Sequence, residues 1–127
     1  MLLVVENESI SRYAFRRLLT KEGYEVMEAA DGVEALNMLK THRFDLVITA
    51  LAMPQINGLT LVDRIRLEWP HTLILLVSAY LSRQGAKAIL GEQVEFLTKP
   101  IDYTQLVATV NRLLPRSSNL QLVSPEP

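Results

Sequence analysis

Short apolar runs and segments of helical periodicity alternate five times along the first 114 residues of the chain. Apolar side chains in the helical segments recur every three or four residues, as expected for helices with one buried face. Parallel strands need crossover connections, which helices supply, and such crossovers are right-handed. The alternation therefore predicts an α/β domain with a doubly wound parallel sheet of five strands and five helices. The strands are predicted at 2–5, 25–29, 44–49, 73–77 and 95–98.

Polar capping residues mark the starts of two of the predicted helices. Asp31 is followed three residues later by a glutamate and predicts the start of the second helix. Asp102 predicts the start of the last helix in the same way. The helical periodicity places Ile10 on the apolar side of the first helix and Val33 on the buried side of the second.

The composition is that of an ordinary globular domain. The chain has 127 residues, of which 49% are hydrophobic and 21% charged, with a formal net charge of −1. This charge shows no basic footprint, so direct nucleic-acid binding by this segment is not expected. Without cysteine there is no disulfide framework and no thiolate metal site. The apolar runs are too short to span a membrane, and a cytoplasmic location is expected. Residues 1–114 are predicted to form the domain, and 115–127, polar and rich in proline, a flexible tail or the start of a linker.

The residues just after each strand carry the functional information in a sheet of this kind. Open parallel sheets bind ligands outside the carboxyl ends of their strands, where the strand order reverses. The side chains expected at that edge are Glu6, Asn7, Glu8, Ala50, Ala52, Ser78, Ala79, Lys99 and Pro100.

Five motifs in order, at family spacing, resemble the receiver domains of bacterial two-component response regulators, including the chemotaxis regulators. They are LLVVENE, EGYEVMEAADGVEAL, FDLVITALAMPQINGL, LLVSAY and FLTKPI, and the resemblance covers residues 2–114. It implies a flavodoxin-like fold with strand order 2-1-3-4-5.

The family resemblance implies phosphoryl transfer from a histidine kinase to an aspartate at the end of the third strand. A Mg²⁺ ion held by acidic residues would neutralise charge there, and a lysine and a hydroxyl would contact the phosphoryl oxygens. The positions that match the switch and phosphoryl-contacting residues are Ser78, Phe96 and Lys99. The positions that match structural residues are Pro54, Gly58 and Pro100, with a cis bond before the last.

The sequence departs from the family at the reactive position itself, because the acceptor aspartate is replaced by Ala50. The matching metal site is degraded as well, with Glu6 as its remaining acid, Asn7 in place of a second one, and Ala52 beside the acceptor position. We expect no cofactor, Mg²⁺ binding that is weak at most, and no enzymatic turnover. Thr49 should face away from the pocket, and Asp45 should lie too far back along the strand to replace the acceptor.

Three interpretations follow. The first is a receiver domain that does not accept phosphate and acts through protein contacts with a histidine kinase, an output domain or another receiver. The resemblance also implies a contact face, and a possible homodimer, through 83–114. The second is an ordinary receiver silenced by an engineered Ala50; the further changes at Asn7 and Asn57 favour natural loss. The third is a small anion-binding module that uses Lys99 and Ser78, although Lys99 is expected to pair with Glu6.

Overall fold

The computed structural model describes residues 1–91 and 94–115, and these residues form five strands and five helices in alternation. The strands are β1 (Leu2–Val5), β2 (Val26–Ala29), β3 (Leu46–Ala50), β4 (Leu73–Ser78) and β5 (Glu95–Thr98). The helices are α1 (Ser9–Lys21), α2 (Gly32–Thr41), α3 (Gly58–Glu68), α4 (Arg83–Leu90) and α5 (Tyr103–Leu113). The predicted fold class is confirmed.

All strand pairs are parallel, and the strand order is β2-β1-β3-β4-β5, as the family resemblance implies. The chain leaves β1 for β2 on one side and returns to β3 on the other, so the order reverses between β1 and β3. Val5 of β1 pairs with Thr49 of β3, which places Glu6 and Ala50 level with each other at the carboxyl edge. This reversal is where a doubly wound sheet forms its ligand crevice.

Two hydrophobic cores lie on opposite faces of the sheet because neighbouring strand residues point to opposite sides. Leu3 and Val5 pack with apolar side chains of α2, α3 and α4. Leu2 and Val4 pack with those of α1 and α5. Burying a large aliphatic side chain contributes roughly 1.5–3 kcal/mol. The near-continuous apolar strands are thus explained by helices that cover both faces of the sheet.

Both predicted helix starts are confirmed by side-chain caps. Asp31 accepts a hydrogen bond from the N–H of Glu34 at 2.8 Å, and the Glu34 carboxylate accepts one from the N–H of Ala30. The carboxylate of Asp102 accepts hydrogen bonds from the N–H groups of Thr104 and Gln105. These bonds satisfy N–H groups that have no partner within their helices.

Two core predictions are wrong. Ile10 is 78% exposed, because it lies five residues before the buried Phe15 and therefore about 140° around α1 from it. Val33 is 42% exposed, because residues two apart do not share a helix face and Ala35 occupies the buried one. The third strand also extends one residue further than predicted, so that Ala50 is its last residue.

No helix in the described part of the chain is long and apolar enough to cross a bilayer. The predicted tail or linker at 115–127 lies, apart from Pro115, outside the described residues.

Candidate functional site

A pocket of about 210 Å³ opens at the carboxyl edge of the sheet. It brings together most of the edge residues that the sequence predicts, from the ends of β1, β3, β4 and β5. Its lining consists of Glu6, Asn7, Glu8, Ala50, Leu51, Ala52, Val77, Ser78, Ala79, Tyr80 and Lys99. The strand ends therefore converge on one small, partly polar cavity.

Ala50 lies at the centre of this edge, where β3 ends. It pairs with Val77 of β4 and is buried. Its methyl group can neither attack phosphorus nor bind a metal ion. The neighbouring Thr49 is fully buried and donates its hydroxyl to the carbonyl of Ala50 at 2.9 Å. Asp45 lies at the other end of β3 and pairs with the amino group of Met1. Neither Thr49 nor Asp45 is among the residues that line the pocket.

Glu6 and Lys99 form the expected ion pair across the pocket. The Nζ of Lys99 donates to Oε1 of Glu6 at 3.2 Å, and the N–H of Glu8 donates to Oε2 at 3.0 Å. Glu6 is only 2% exposed, so its charge is largely shielded from water. A buried carboxylate needs such partners, since an unpaired buried charge is strongly destabilising. The pair leaves the floor of the pocket electrically close to neutral.

The remaining residues of the matching metal site do not complete a set of metal ligands. Asn7 is exposed and carries no charge, Ala52 has no donor in its side chain, and the Glu8 carboxylate accepts a hydrogen bond from the Ser11 hydroxyl. In the part of the chain that the structure describes, no three histidine or acidic side chains are grouped to hold a metal ion. Mg²⁺ keeps several waters and is usually bound through one or two carboxylates in octahedral geometry, and the buried carboxylate of this pocket, Glu6, is already paired with Lys99. These residues therefore do not fit a Mg²⁺ site.

Ser78 and Phe96, which match the switch positions of the family, have local partners in the structure. Ser78 is buried, and its Oγ accepts a hydrogen bond from the N–H of Tyr80 at 3.0 Å. Phe96 is also buried and packs in the core beneath α4 and away from the pocket lining. The Ser78 hydroxyl thus stabilises the turn that follows β4, and Phe96 contributes to packing.

The connection from β5 to α5 is tied to the same edge through its backbone. The N–H of Lys99 donates to the carbonyl of Ser78 at 3.0 Å. The Lys99–Pro100 peptide bond is cis, as the resemblance implies. Lys99 is thereby positioned next to the end of β4, with its side chain directed to Glu6.

The loop after β3 is closed by a very tight contact. Gly58 donates its N–H to the carbonyl of Leu51 at 2.7 Å, and a side chain at this position would meet the backbone of Ala50. Asn57 caps α3 by accepting a hydrogen bond from the N–H of Thr60. Pro54 is exposed at the loop, and Gln55 adopts a positive φ of 68°. A positive φ is uncommon outside glycine, and neither this residue nor its conformation was predicted from the sequence.

Arg12 is a residue of this site that the sequence did not reveal. Its Nη1 donates to the backbone carbonyl of Glu6 at 2.6 Å, and its Nε donates to the Glu28 carboxylate at 3.2 Å. Arg16 also pairs with Glu28. Arg12 does not line the pocket but contacts Glu6, which does, and since an arginine on a helix is usually a solvated residue, no signal in the sequence marks this contact.

Comparison with known proteins gives one consistent result. A family model described as the response regulator receiver domain matches residues 2–111. The chain is 32% identical to the aerobic respiration control protein ArcA of Escherichia coli K12, over 98% of this chain and 52% of that protein. The chain thus spans about half the length of this curated relative.

Solved structures agree with the sequence matches. The chemotaxis protein CheY4 of Vibrio cholerae is 32% identical, with a TM-score of 0.79 over 89% of this chain and 97% of that chain. The response regulator TrrA of Thermotoga maritima gives the same identity, TM-score and coverage, and its structure is a complex with Mg²⁺ and BeF.

Proposed function

Because this chain belongs to the response regulator receiver family, we propose that it is a receiver domain that signals through protein contacts and does not accept a phosphoryl group. Receiver domains are signalling modules of two-component systems. The sheet edge that serves as the phosphorylation site in the family is present in this chain in altered form.

The observation that carries the proposal is the methyl group of Ala50 at the end of β3. The strand, the loop closed by Gly58 and the pocket are all built, but the position that would hold the nucleophile has no oxygen atom. Glu6 is the buried acid nearest in register, and both of its carboxylate oxygens already accept hydrogen bonds. Nucleophilic attack requires an aligned oxygen, and these two bonds hold the Glu6 carboxylate at the end of β1 and not at the end of β3, where the acceptor belongs.

The ion pair between Glu6 and Lys99 supports regulation without phosphate. In this proposal, Lys99 has its counter-ion within the protein and does not depend on a phosphoryl group for one. The Ser78 Oγ accepts a hydrogen bond from the N–H of Tyr80, which holds this hydroxyl in the turn after β4. The pocket is then held in one arrangement by its own contacts, and the signal reaches the domain through a partner at its surface.

We propose that the partners are proteins of a two-component system in the cytoplasm: a histidine kinase, an output domain or another receiver. The contact face proposed is formed by α4, β5 and α5, residues 83–114, and could also support a homodimer. On this face, Arg112 pairs with Glu95 at 2.9 Å and Tyr103 is partly exposed. Arginine and aromatic side chains are enriched at protein interfaces, which supports the choice of this face.

Incubation of the chain with acetyl phosphate and Mg²⁺, followed by intact mass spectrometry, tests the proposal. We expect no gain in mass. A gain of one phosphoryl group, stable or acid-labile, would refute it. A matched control replaces Asp45, an acid outside the pocket, by asparagine and should behave like the parent chain.

A separate NMR titration with inorganic phosphate addresses the anion-binding alternative. If Lys99 and Ser78 formed an anion site, inorganic phosphate would shift the amide NMR resonances of both residues in a saturable titration. We expect no saturable shift, because the Glu6 carboxylate already occupies Lys99 and would repel an incoming anion.

A further inference from the structure

Arg12 makes two contacts that connect the edge of the sheet to the pocket. Its guanidinium donates to the backbone carbonyl of Glu6 at 2.6 Å and to the carboxylate of Glu28 on β2 at 3.2 Å. The side chain of Arg12 is 20% exposed, so these bonds are partly shielded from water. Hydrogen bonds from a charged donor are stronger than neutral ones. The bond to the carbonyl fixes the peptide unit that follows Glu6.

The fixed peptide unit belongs to the residue whose carboxylate meets Lys99. The connection between β1 and α1 is short, and Glu6 is held at three points: its N–H donates to Ala29, its carbonyl accepts from Arg12, and its carboxylate pairs with Lys99. Rotation of that peptide unit would displace the backbone that follows it, including the Glu8 N–H that donates to the Glu6 carboxylate at 3.0 Å and holds it next to Lys99. The side chains of Glu28 and Arg12, the backbone and carboxylate of Glu6, and the Lys99 ammonium thus follow one another in contact from β2 to the end of β5, and the link between Arg12 and Glu6 is to the backbone carbonyl.

We propose that Arg12 is a positioning residue, which holds the backbone of Glu6 so that the Glu6 carboxylate pairs with Lys99 and needs no metal ion. The inference that the Glu6 carboxylate needs no metal ion rests on the proposed function. A receiver that bound Mg²⁺ would use the Glu6 carboxylate as a ligand. Arg12 touches neither a ligand nor Lys99 and acts only through Glu6.

Arg16 provides a matched control for this proposal. It lies one turn after Arg12 on α1 and pairs with the same Glu28 carboxylate. Its ion-pair partner is on β2, and it makes no hydrogen bond with Glu6 in the described part of the chain. Arg16→Gln therefore removes the same charge from the same helix without releasing the Glu6 carbonyl.

The test measures the ¹³C resonance of the Glu6 side-chain carboxyl carbon in the parent chain and in the variants R12Q, R16Q and K99Q. We expect R12Q to move this resonance towards its position in K99Q, and R16Q to leave it within the line width. Thermal unfolding of the pairs should agree: the loss of Tm in R12Q/K99Q should be clearly smaller than the sum of the single losses, whereas R16Q/K99Q should be additive.

An unchanged Glu6 resonance in R12Q, or additive losses of Tm for R12Q and K99Q, would overturn the proposal. If R12Q does not fold, R12K takes its place, since a single ammonium cannot reproduce the two-pronged contact. The measurements use no phosphodonor. A negative result in these measurements therefore refutes only the role of Arg12. A phosphoryl gain in the mass measurement refutes the proposed function, whatever the Glu6 resonance shows.

Discussion

Gly58→Ala should destabilise the fold because the added methyl group would overlap the backbone at the end of β3. A methyl group on Gly58 would lie 2.3 Å from the carbonyl oxygen of Ala50 and 2.8 Å from the Cα of Leu51. Non-bonded carbon atoms prefer about 3.5–4.0 Å, so the backbone would have to move by roughly 1 Å. Such movement would also weaken the 2.7 Å hydrogen bond from Gly58 to Leu51.

The magnitude follows from three effects on the free energy of unfolding. Overpacking against backbone costs about 1–3 kcal/mol, and loss of the hydrogen bond costs about 1 kcal/mol. Replacing glycine by alanine in a helix raises the free energy of unfolding by up to about 1 kcal/mol. The net loss is roughly 1–3 kcal/mol, which corresponds to a decrease in Tm of roughly 3–12 °C for a domain of this size.

Urea unfolding followed by circular dichroism measures this loss, and Gly85→Ala in α4 is the matched control. The nearest atom to a methyl group on Gly85 is the Oγ of Ser82 at 3.2 Å, which caps α4 and would have to move far less than the backbone next to Gly58. Gly85→Ala should therefore lie within about 0.5 kcal/mol of the parent chain or above it. A loss below about 0.5 kcal/mol in Gly58→Ala would refute the argument that this contact closes the loop.

Two further substitutions test the site in the same unfolding assay. Lys99→Gln should lower the free energy of unfolding by about 1–2 kcal/mol, because it leaves the buried Glu6 carboxylate without its counter-ion. The loss is smaller than for a fully buried pair because the Lys99 side chain is 32% exposed. As a control, Arg64→Gln breaks an exposed ion pair with Glu68 and should lower the free energy of unfolding by at most about 0.5 kcal/mol. Equal losses for Lys99→Gln and Arg64→Gln would argue against a special role for the Glu6 pair. Gln55→Gly should leave the free energy of unfolding unchanged or raise it by up to about 1 kcal/mol, because Gln55 has a positive φ that glycine adopts without strain. A clear loss of stability would show that the glutamine side chain stabilises the loop.

The elements and the parallel α/β class could be predicted from the sequence because their main determinants are local, whereas the strand order came from the family resemblance. The apolar strands, the periodic helices and the caps at Asp31 and Asp102 each act within a few residues, and together they allow few topologies. The pairing of Glu6 with Lys99 could also be predicted, since the carboxyl ends of β1 and β5 face one pocket and these two residues carry its opposite charges.

The parts that could not be predicted depend on exact backbone positions. The role of Arg12 requires knowing that its guanidinium reaches the carbonyl of Glu6, which the spacing of charges along α1 does not reveal. The positive φ of Gln55 lies within the loop that Gly58 closes on Leu51, and a turn with proline, asparagine and glycine could be expected there, but not which residue takes this conformation. The exposure of Ile10 was missed because the apolar pattern of α1 admits more than one face.

Restoring the two missing acids tests most directly the claim that the receiver scaffold is intact and only its phosphoryl chemistry is lost. The variants A50D, N7D and A50D/N7D would be incubated with acetyl phosphate and Mg²⁺, and the acyl phosphate would be measured by intact mass. Because Ala50 supplies no nucleophile and Asn7 no charge for the metal ion, we predict no phosphorylation of N7D, little of A50D, and substantial phosphorylation of A50D/N7D. Full phosphorylation of A50D alone would show that the metal site was never impaired. No phosphorylation of the folded double variant would contradict the claim that the scaffold is intact.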